Sequence, residues 1–423
     1  MQSAGPSSDC QEQDAPLSAS TSNIDANPQT QPRKRRLSPK LLFIRASRAN
    51  SLPDFIEALE IARHQAPAYD SSHPYPSVIR SGLSASIRQG RTSLASYLLG
   101  NEPLAPAILR AHIRPSTIGR KASIPLFELL IAQYGWDINT EDVPVHCDKR
   151  PLISWVLEGP NEHELICWLL DHNARVDFGQ DDYFLERLVP RPPALLETCA
   201  RYGSVESFRL LQARGARLGN RTLHFACVRA ACYGADPSVS SEELEGNGHG
   251  GQLGQNATGN TAEFDAYDSF EAEMAAYDAG AEARASVQRP KRAAMLRFLV
   301  DEVGLEVNQP DLDVIQLMAW HYGTPICYAA EEKDGAAVVR WVLGKGADPL
   351  FQRWTICAEA CARAHGNYEV LQVLGQWREL NPEKVQERKA LGSAFETPIP
   401  SPEWQGKSWK EWEAFHEDLG PST

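Results

Sequence analysis

Nowhere in the 423-residue chain do apolar residues run for the 18 or so positions that a membrane-crossing helix needs. The polar N-terminus is not followed by the short apolar core of a secretion signal. The expectation is therefore a soluble, unsecreted protein, cytoplasmic, nuclear or both, with no membrane contact. Catalytic signatures are equally scarce: His-Glu-x-x-His, Gly-x-Ser-x-Gly and paired Cys-x-x-Cys do not occur. Gly246-Asn-Gly-His-Gly-Gly251 has the spacing of a dinucleotide fingerprint but neither the preceding strand nor the following helix that a pyrophosphate site requires. Gly406-Lys-Ser408 resembles the end of a P-loop, but position 401 is Ser where that loop needs Gly. Basic residues are in deficit, 42 Lys and Arg against 55 Asp and Glu, for a net charge of −13. A general nucleic-acid surface is not indicated. No catalytic residue, cofactor, metal or small-molecule substrate follows from the sequence.

The residues that are present describe a largely folded chain. Hydrophobic residues make up 42% and charged residues 23%. Most of the nine cysteines sit inside apolar segments of helical period, which suits small buried thiols in a reducing compartment better than a disulfide framework. Cys357 with Cys361, and Cys227 with Cys232, lie about one helical turn apart without histidines at ligand spacing, so they read as core thiols. The acidity is concentrated. Between Ala235 and Arg289 eleven acidic residues face two arginines, in a stretch rich in Gly, Ser and Ala. Residues 1–39 are polar and poor in apolar side chains, a composition that cannot offset chain entropy, so a disordered tail is expected. That tail ends in Arg33-Lys34-Arg35-Arg36 beside Ser38, a nuclear-import patch with a phosphosite or a solvated charge cluster.

The informative unit is Ala194–Leu218. Leu195, Leu196, Cys199 and Ala200 make one apolar stripe, and Val205, Phe208, Leu210 and Leu211 another, each at helical spacing. Gly203-Ser204 divides them, Ser204 suits an N-cap, and Gly215 sits where a left-handed C-cap residue is wanted. Two helices this short cannot bury their faces alone and need neighbours of the same kind. Those neighbours exist: Leu83–Leu99 around Gly90, Pro125–Asn139 ending at Gly135, Pro151–Ala174 ending at Asn173, Arg221–Gly234, a segment from Met295 to Gly304, Thr324–Asp348, and Thr355–Leu374 around Gly366. A degenerate pair at Lys40–Ile61 precedes them as a cap.

Arg221-Thr-Leu-His-Phe-Ala-Cys227, Thr324-Pro-Ile-Cys-Tyr-Ala-Ala330 and the closing Gly346-Ala-Asp348 carry a resemblance to the ankyrin repeat. The resemblance covers roughly residues 40–378 in seven to eight units. It implies an all-α solenoid of stacked helix pairs that binds other proteins. In that family the residue at the position of His224 ties adjacent repeats together; Cys327 stands there in a later repeat. Successive terminators lie 38 residues apart from Gly135 to Asn173, and 42 from Asn173 to Gly215 and from Gly304 to Gly346, but 89 from Gly215 to Gly304. The surplus matches the acidic stretch 235–289, which is therefore expected to interrupt one repeat between its two helices.

The resemblance and the bare pattern together point to a non-catalytic protein–protein scaffold or adaptor. Recognition is expected at loop tips and on the concave surface. The tips carry Asp181, Asp182 and Tyr183, then Arg217, Asn220 and Arg221, then Gln309 and Asp311, then Gln352, Arg353 and Trp354. Trp155, Trp168 and Trp341 are expected in packing between repeats. Residues 379–423 form a charged, proline-punctuated tail in which Ser408-Trp-Lys-Glu411 is a capping box. The short helix it opens would place Trp409, Trp412 and Phe415 on one face. Docked on the last repeat this face is a cap; displayed, it makes the chain a substrate receptor or regulatory subunit of a protein-modifying complex.

Overall fold

A computed structural model describes residues 38–65, 75–142, 150–178, 193–239, 283–311 apart from residue 284, 323–351 and 357–390. Their regular structure is helical, with one isolated antiparallel bridge, Glu141 to Pro151, and no strand among the described residues. From Pro39 onward the described residues belong to one compact unit.

Among the described residues up to Leu380, the helices follow one another as eight successive pairs. Pair one is Pro39–Ala49 with Leu52–Gln65, and pair two Tyr75–Arg88 with Thr92–Asn101. Pair three has a broken first member, Ala105–His112 and Pro115–Gly119, because Pro115 cannot continue the preceding helix and holds Arg114 extended. Its second member starts as Ile124–Phe127 and runs on as π turns over Glu128–Gln133. Pair four is Leu152–Val156 with Glu162–Asp171, and pair five Leu195–Tyr202 with Val205–Ala213. Pair six joins Thr222–Cys232 to a helix over 285–297 that continues as π turns Phe298–Glu302. Pair seven is Pro325–Ala330 with Ala336–Gly344, and pair eight Ala358–Ala364 with Tyr368–Leu380. First helices pack on first helices from pair to pair, and the second helices of pairs one and two, four and five, and seven and eight pack likewise. One apolar core runs through the series from Phe43 to Leu374.

The terminators take the backbone that the sequence demanded of them. Gly135, Asn173, Gly215, Gly304 and Gly346 all have positive φ, between 65° and 93°. In pairs four, five and seven a Schellman-type bond spans five residues, as in Ala216 N to Leu211 O at 3.0 Å. In pairs three and six it spans six, Trp136 N to Leu130 O at 2.9 Å and Leu305 N to Leu299 O at 3.0 Å, because the π turns take up an extra residue. Gly203 is different: its φ is −80°, and glycine is needed because a Cβ there would lie 2.6 Å from Cys199 Sγ.

The described residues reach into both ends of the acidic stretch: Ala235 and Pro237 are buried, and Arg289 lies within the second helix of pair six. They also continue past 378. A polar helix, Pro382–Ala390, follows pair eight, opened by proline at its first position with Glu383 in the first turn. Its Arg388 bonds Asp348 of pair seven. The Trp-bearing segment at 404–416 and the basic tail at 33–36 lie outside the described residues.

Candidate interaction surface

The first helices of pairs four to seven bury the third residue after the N-cap: Ser154, Glu197, His224 and Cys327. Two of these reach into the turn that opens the next pair. Glu197, with 0% exposure, accepts from its own helix start at Ala194 N (2.9 Å) and from Arg221 N (2.9 Å), with the Arg221 guanidinium 3.7 Å away. One carboxylate thus satisfies amides at two helix N-termini, where the backbone leaves donors unpaired and favours negative charge. Gly219 is the counterpart of that arrangement, since a Cβ there would lie 2.1 Å from Glu197 Oε1. One pair further on, His224 Nε2 donates to Gly323 O at 3.1 Å, and the ring packs edge-on against Tyr328 at 4.9 Å. Burial lowers the His224 pKa to about 3, so the ring is neutral. The same carbonyl accepts from Asp311 N at 3.1 Å, Gly323 N donates back to Asp311 Oδ1 at 3.3 Å, and Tyr328 donates its hydroxyl to Asp311 Oδ2. Burial raises the Asp311 pKa.

A second tie runs along the outer turns. Asn139 accepts from Arg175 N at 2.8 Å and donates to Asn173 O at 3.3 Å. Asn308 accepts from Asp348 N at 2.7 Å and donates to Gly346 O at 3.0 Å. Each asparagine therefore grips the terminator of the next pair, and the residue two further on, through both ends of its amide.

The first helices of pairs five and six and their flanking residues carry a row of alternating cations and rings. The Arg201 guanidinium lies over Phe225 (5.3 Å) and Tyr202 (5.2 Å). Arg221 lies over Phe225 from 5.1 Å. Arg229 lies over Tyr202 (5.1 Å) and Tyr233 (4.6 Å) and donates to the Tyr233 hydroxyl at 2.8 Å. All six side chains are half-buried. Behind them Arg292, 5% exposed, donates to the carbonyls of Arg201 (3.1 Å), Tyr202 (2.6 Å) and Gly203 (3.0 Å). It caps the carboxyl end of the first helix of pair five, where carbonyls are otherwise orphaned. Arg289 donates to Tyr233 O at 2.8 Å, and Arg297 to Pro237 O and Val239 O at 3.0 and 2.7 Å. These arginines hold the two ends of the acidic stretch together. Phe208 against Phe298 at 5.5 Å joins the second helices of pairs five and six.

The residues expected at loop tips divide. Arg217 and Asn220 are exposed, with Leu218 42% exposed between them, and Arg221 is half-buried beside Glu197. Gln309 is half-buried. Asp311 was expected for recognition, yet it is 1% exposed and its carboxylate is consumed by Gly323 and Tyr328. Asp181, Asp182, Tyr183, Gln352, Arg353 and Trp354 lie outside the described residues. Trp168 packs on Phe127 of pair three at 5.3 Å, and Trp155 lies against Gly119 of pair three and donates its indole N–H to Asp142 at 2.9 Å. The cation–ring row was missed, although Arg221, Phe225, Arg229 and Tyr233 recur every fourth residue along one helix face. The paired asparagines were missed too, although Gly135-Trp-Asp-Ile-Asn139 and Gly304-Leu-Glu-Val-Asn308 are the same motif. No helix among the described residues is long and apolar enough to cross a membrane. No protein-family model matches the chain, and no curated protein matches its sequence.

Proposed function

We propose that this chain is a non-catalytic protein–protein scaffold or adaptor built as an ankyrin-type solenoid. The observation that carries the reading is the repeated tie between pairs. Buried third residues and left-handed terminators recur unit after unit; Glu197 and His224 bond backbone of the next unit, and Asn139 and Asn308 grip backbone at the next unit's terminator. A stack held this way leaves the inner helix faces and inter-pair turns to a partner. The buried carboxylates Glu197 and Asp311 support the non-catalytic reading, because their oxygens are engaged by backbone amides and the Tyr328 hydroxyl.

Affinity purification of the full chain followed by cross-linking mass spectrometry tests the proposal. The expected result is a discrete protein partner cross-linked near Arg217, Asn220 and the first helices of pairs five and six. Cross-links confined to the tails at 1–37 and 391–423 would mean that the helix pairs are not the binding surface.

A further inference from the structure

The row of arginines and rings has a chemistry of its own. In chain of contact it runs Arg221, Phe225, Arg201, Tyr202, Arg229, Tyr233, so every ring carries at least one guanidinium over it and Phe225 and Tyr202 carry two each. Rings of this kind hold guanidinium groups in place without neutralising them. Arg221 has Glu197 nearby, but no carboxylate lies within ion-pair distance of Arg201 or Arg229 among the described residues. Buried Arg292 adds a fourth positive charge close behind, and it and Arg229 act on each other as like charges. Among the described residues, a net-negative protein has thus placed the charges of Arg201 and Arg229 without a carboxylate partner on one half-exposed face, in side chains whose ordering is already provided by stacking.

We propose that this row is the docking site for an acidic peptide segment of a partner protein, whose carboxylates take the outward N–H groups of Arg201 and Arg229. The inference rests on the scaffold reading and names the chemistry of its partner. Guanidinium forks match carboxylates in two-point geometry, and pre-ordered side chains lose little entropy on binding. The Arg201 and Arg229 guanidiniums lie 5.2 and 5.1 Å from the centre of the Tyr202 ring, so they are no more than about 10 Å apart. In an extended peptide, side chains two residues apart share a face at a separation of about 7 Å, so acidic side chains at that spacing reach both. A nucleic acid fits less well. Guanidinium groups already lie over the rings that bases would stack on, and the chain's net charge of −13 repels a polyanion at long range.

The test uses the full chain and a fluorescein-labelled peptide with glutamates two residues apart, read by fluorescence anisotropy. Its counterpart with glutamine at those positions and a single-stranded oligonucleotide serve as competitors. The glutamate peptide should bind, weaken on raising salt from 50 to 200 mM, and be displaced by neither competitor. The double variant Arg201→Ala, Arg229→Ala should weaken binding about tenfold or more. Arg229→Lys should fall between, because charge survives without the fork. Both variants should still unfold cooperatively, since neither side chain is fully buried. The proposal fails if the double variant binds equally, if the glutamine peptide competes, or if the oligonucleotide binds in preference. If the double variant still captures the native chain's protein partners, the peptide site is wrong and the scaffold reading stands. If neither chain captures a partner, both fall.

Discussion

Glu197 and Gly219 show how one residue's chemistry fixes another's identity. The carboxylate bridges Ala194 N and Arg221 N, and no side chain larger than hydrogen fits at position 219. Glu197→Ala leaves two buried amides without acceptors and should cost about 2–4 kcal/mol. Gly219→Ala forces the carboxylate from its place and should cost about as much. Urea denaturation of the double variant checks the link: its loss should fall well short of the sum of the two, whereas strict additivity would show that the carboxylate is not what excludes a methyl group. His224 carries the pH dependence. Its folded pKa of about 3 lies below the unfolded value of 6.5, so the unfolded chain binds a proton that the folded chain refuses. The stability it contributes is present above pH 6.5 and lost as pH falls, by up to about 1.4 kcal/mol per pH unit. Asp311, with its pKa raised, works in the opposite sense. Comparing native chain with His224→Gln between pH 7 and 5 isolates the histidine, since Asp311 is common to both; the native chain should show the steeper decline.

Among the elements, the turns were the most legible and the hydrogen-bond register the least. A left-handed residue at a helix end admits little besides Gly and Asn, so Gly135, Asn173, Gly215, Gly304 and Gly346 could be placed by type alone. The π turns at Glu128–Gln133 and Phe298–Glu302 had no such marker, because an i-to-i+5 bond uses backbone that every residue shares. Polar residues near turns were misjudged for a related reason. Asp311 and Gln309 look alike in sequence, and only the meeting of Gly323 and Tyr328 with Asp311 decides which turns inward. The cation–ring row needed two helices to be seen as one surface, although half of it lay on a single face. Asn173 at a position otherwise held by glycine makes a prediction for Gly304, whose φ is 76°. Gly304→Ala should cost about 1 kcal/mol, and Gly304→Asn should cost distinctly less in thermal melts. Equal losses would mean that φ is not the constraint there. Asn308→Ala should remove the tie to Gly346 and Asp348 for about 1–2 kcal/mol.

At the scale of the whole molecule, the pairing of the helix over 285–297 with Thr222–Cys232 answers a question of connectivity. Terminator spacing placed the acidic stretch between two helices of one unit; it could not find the stretch's edges, because Arg289, Arg292 and Arg297 look like tail residues until their carbonyl acceptors are known. Replacing residues 240–282 by a linker of about six residues should leave the fold intact. On the sequence expectation that the acidic stretch has no fold of its own, shortening it by roughly three halvings should raise stability by about 1–2 kcal/mol, readable in urea melts. A loss of cooperative unfolding would instead make the stretch part of the core. The arginine clasp at its base has one more consequence. With Phe298, Leu296 and Leu299 buried and three carbonyls gripped by Arg292, the second helix of pair six is held by more than the covalent link. A chain severed within 240–282 should behave as two complementary halves that find each other, which makes this site a natural port for splicing in foreign sequence.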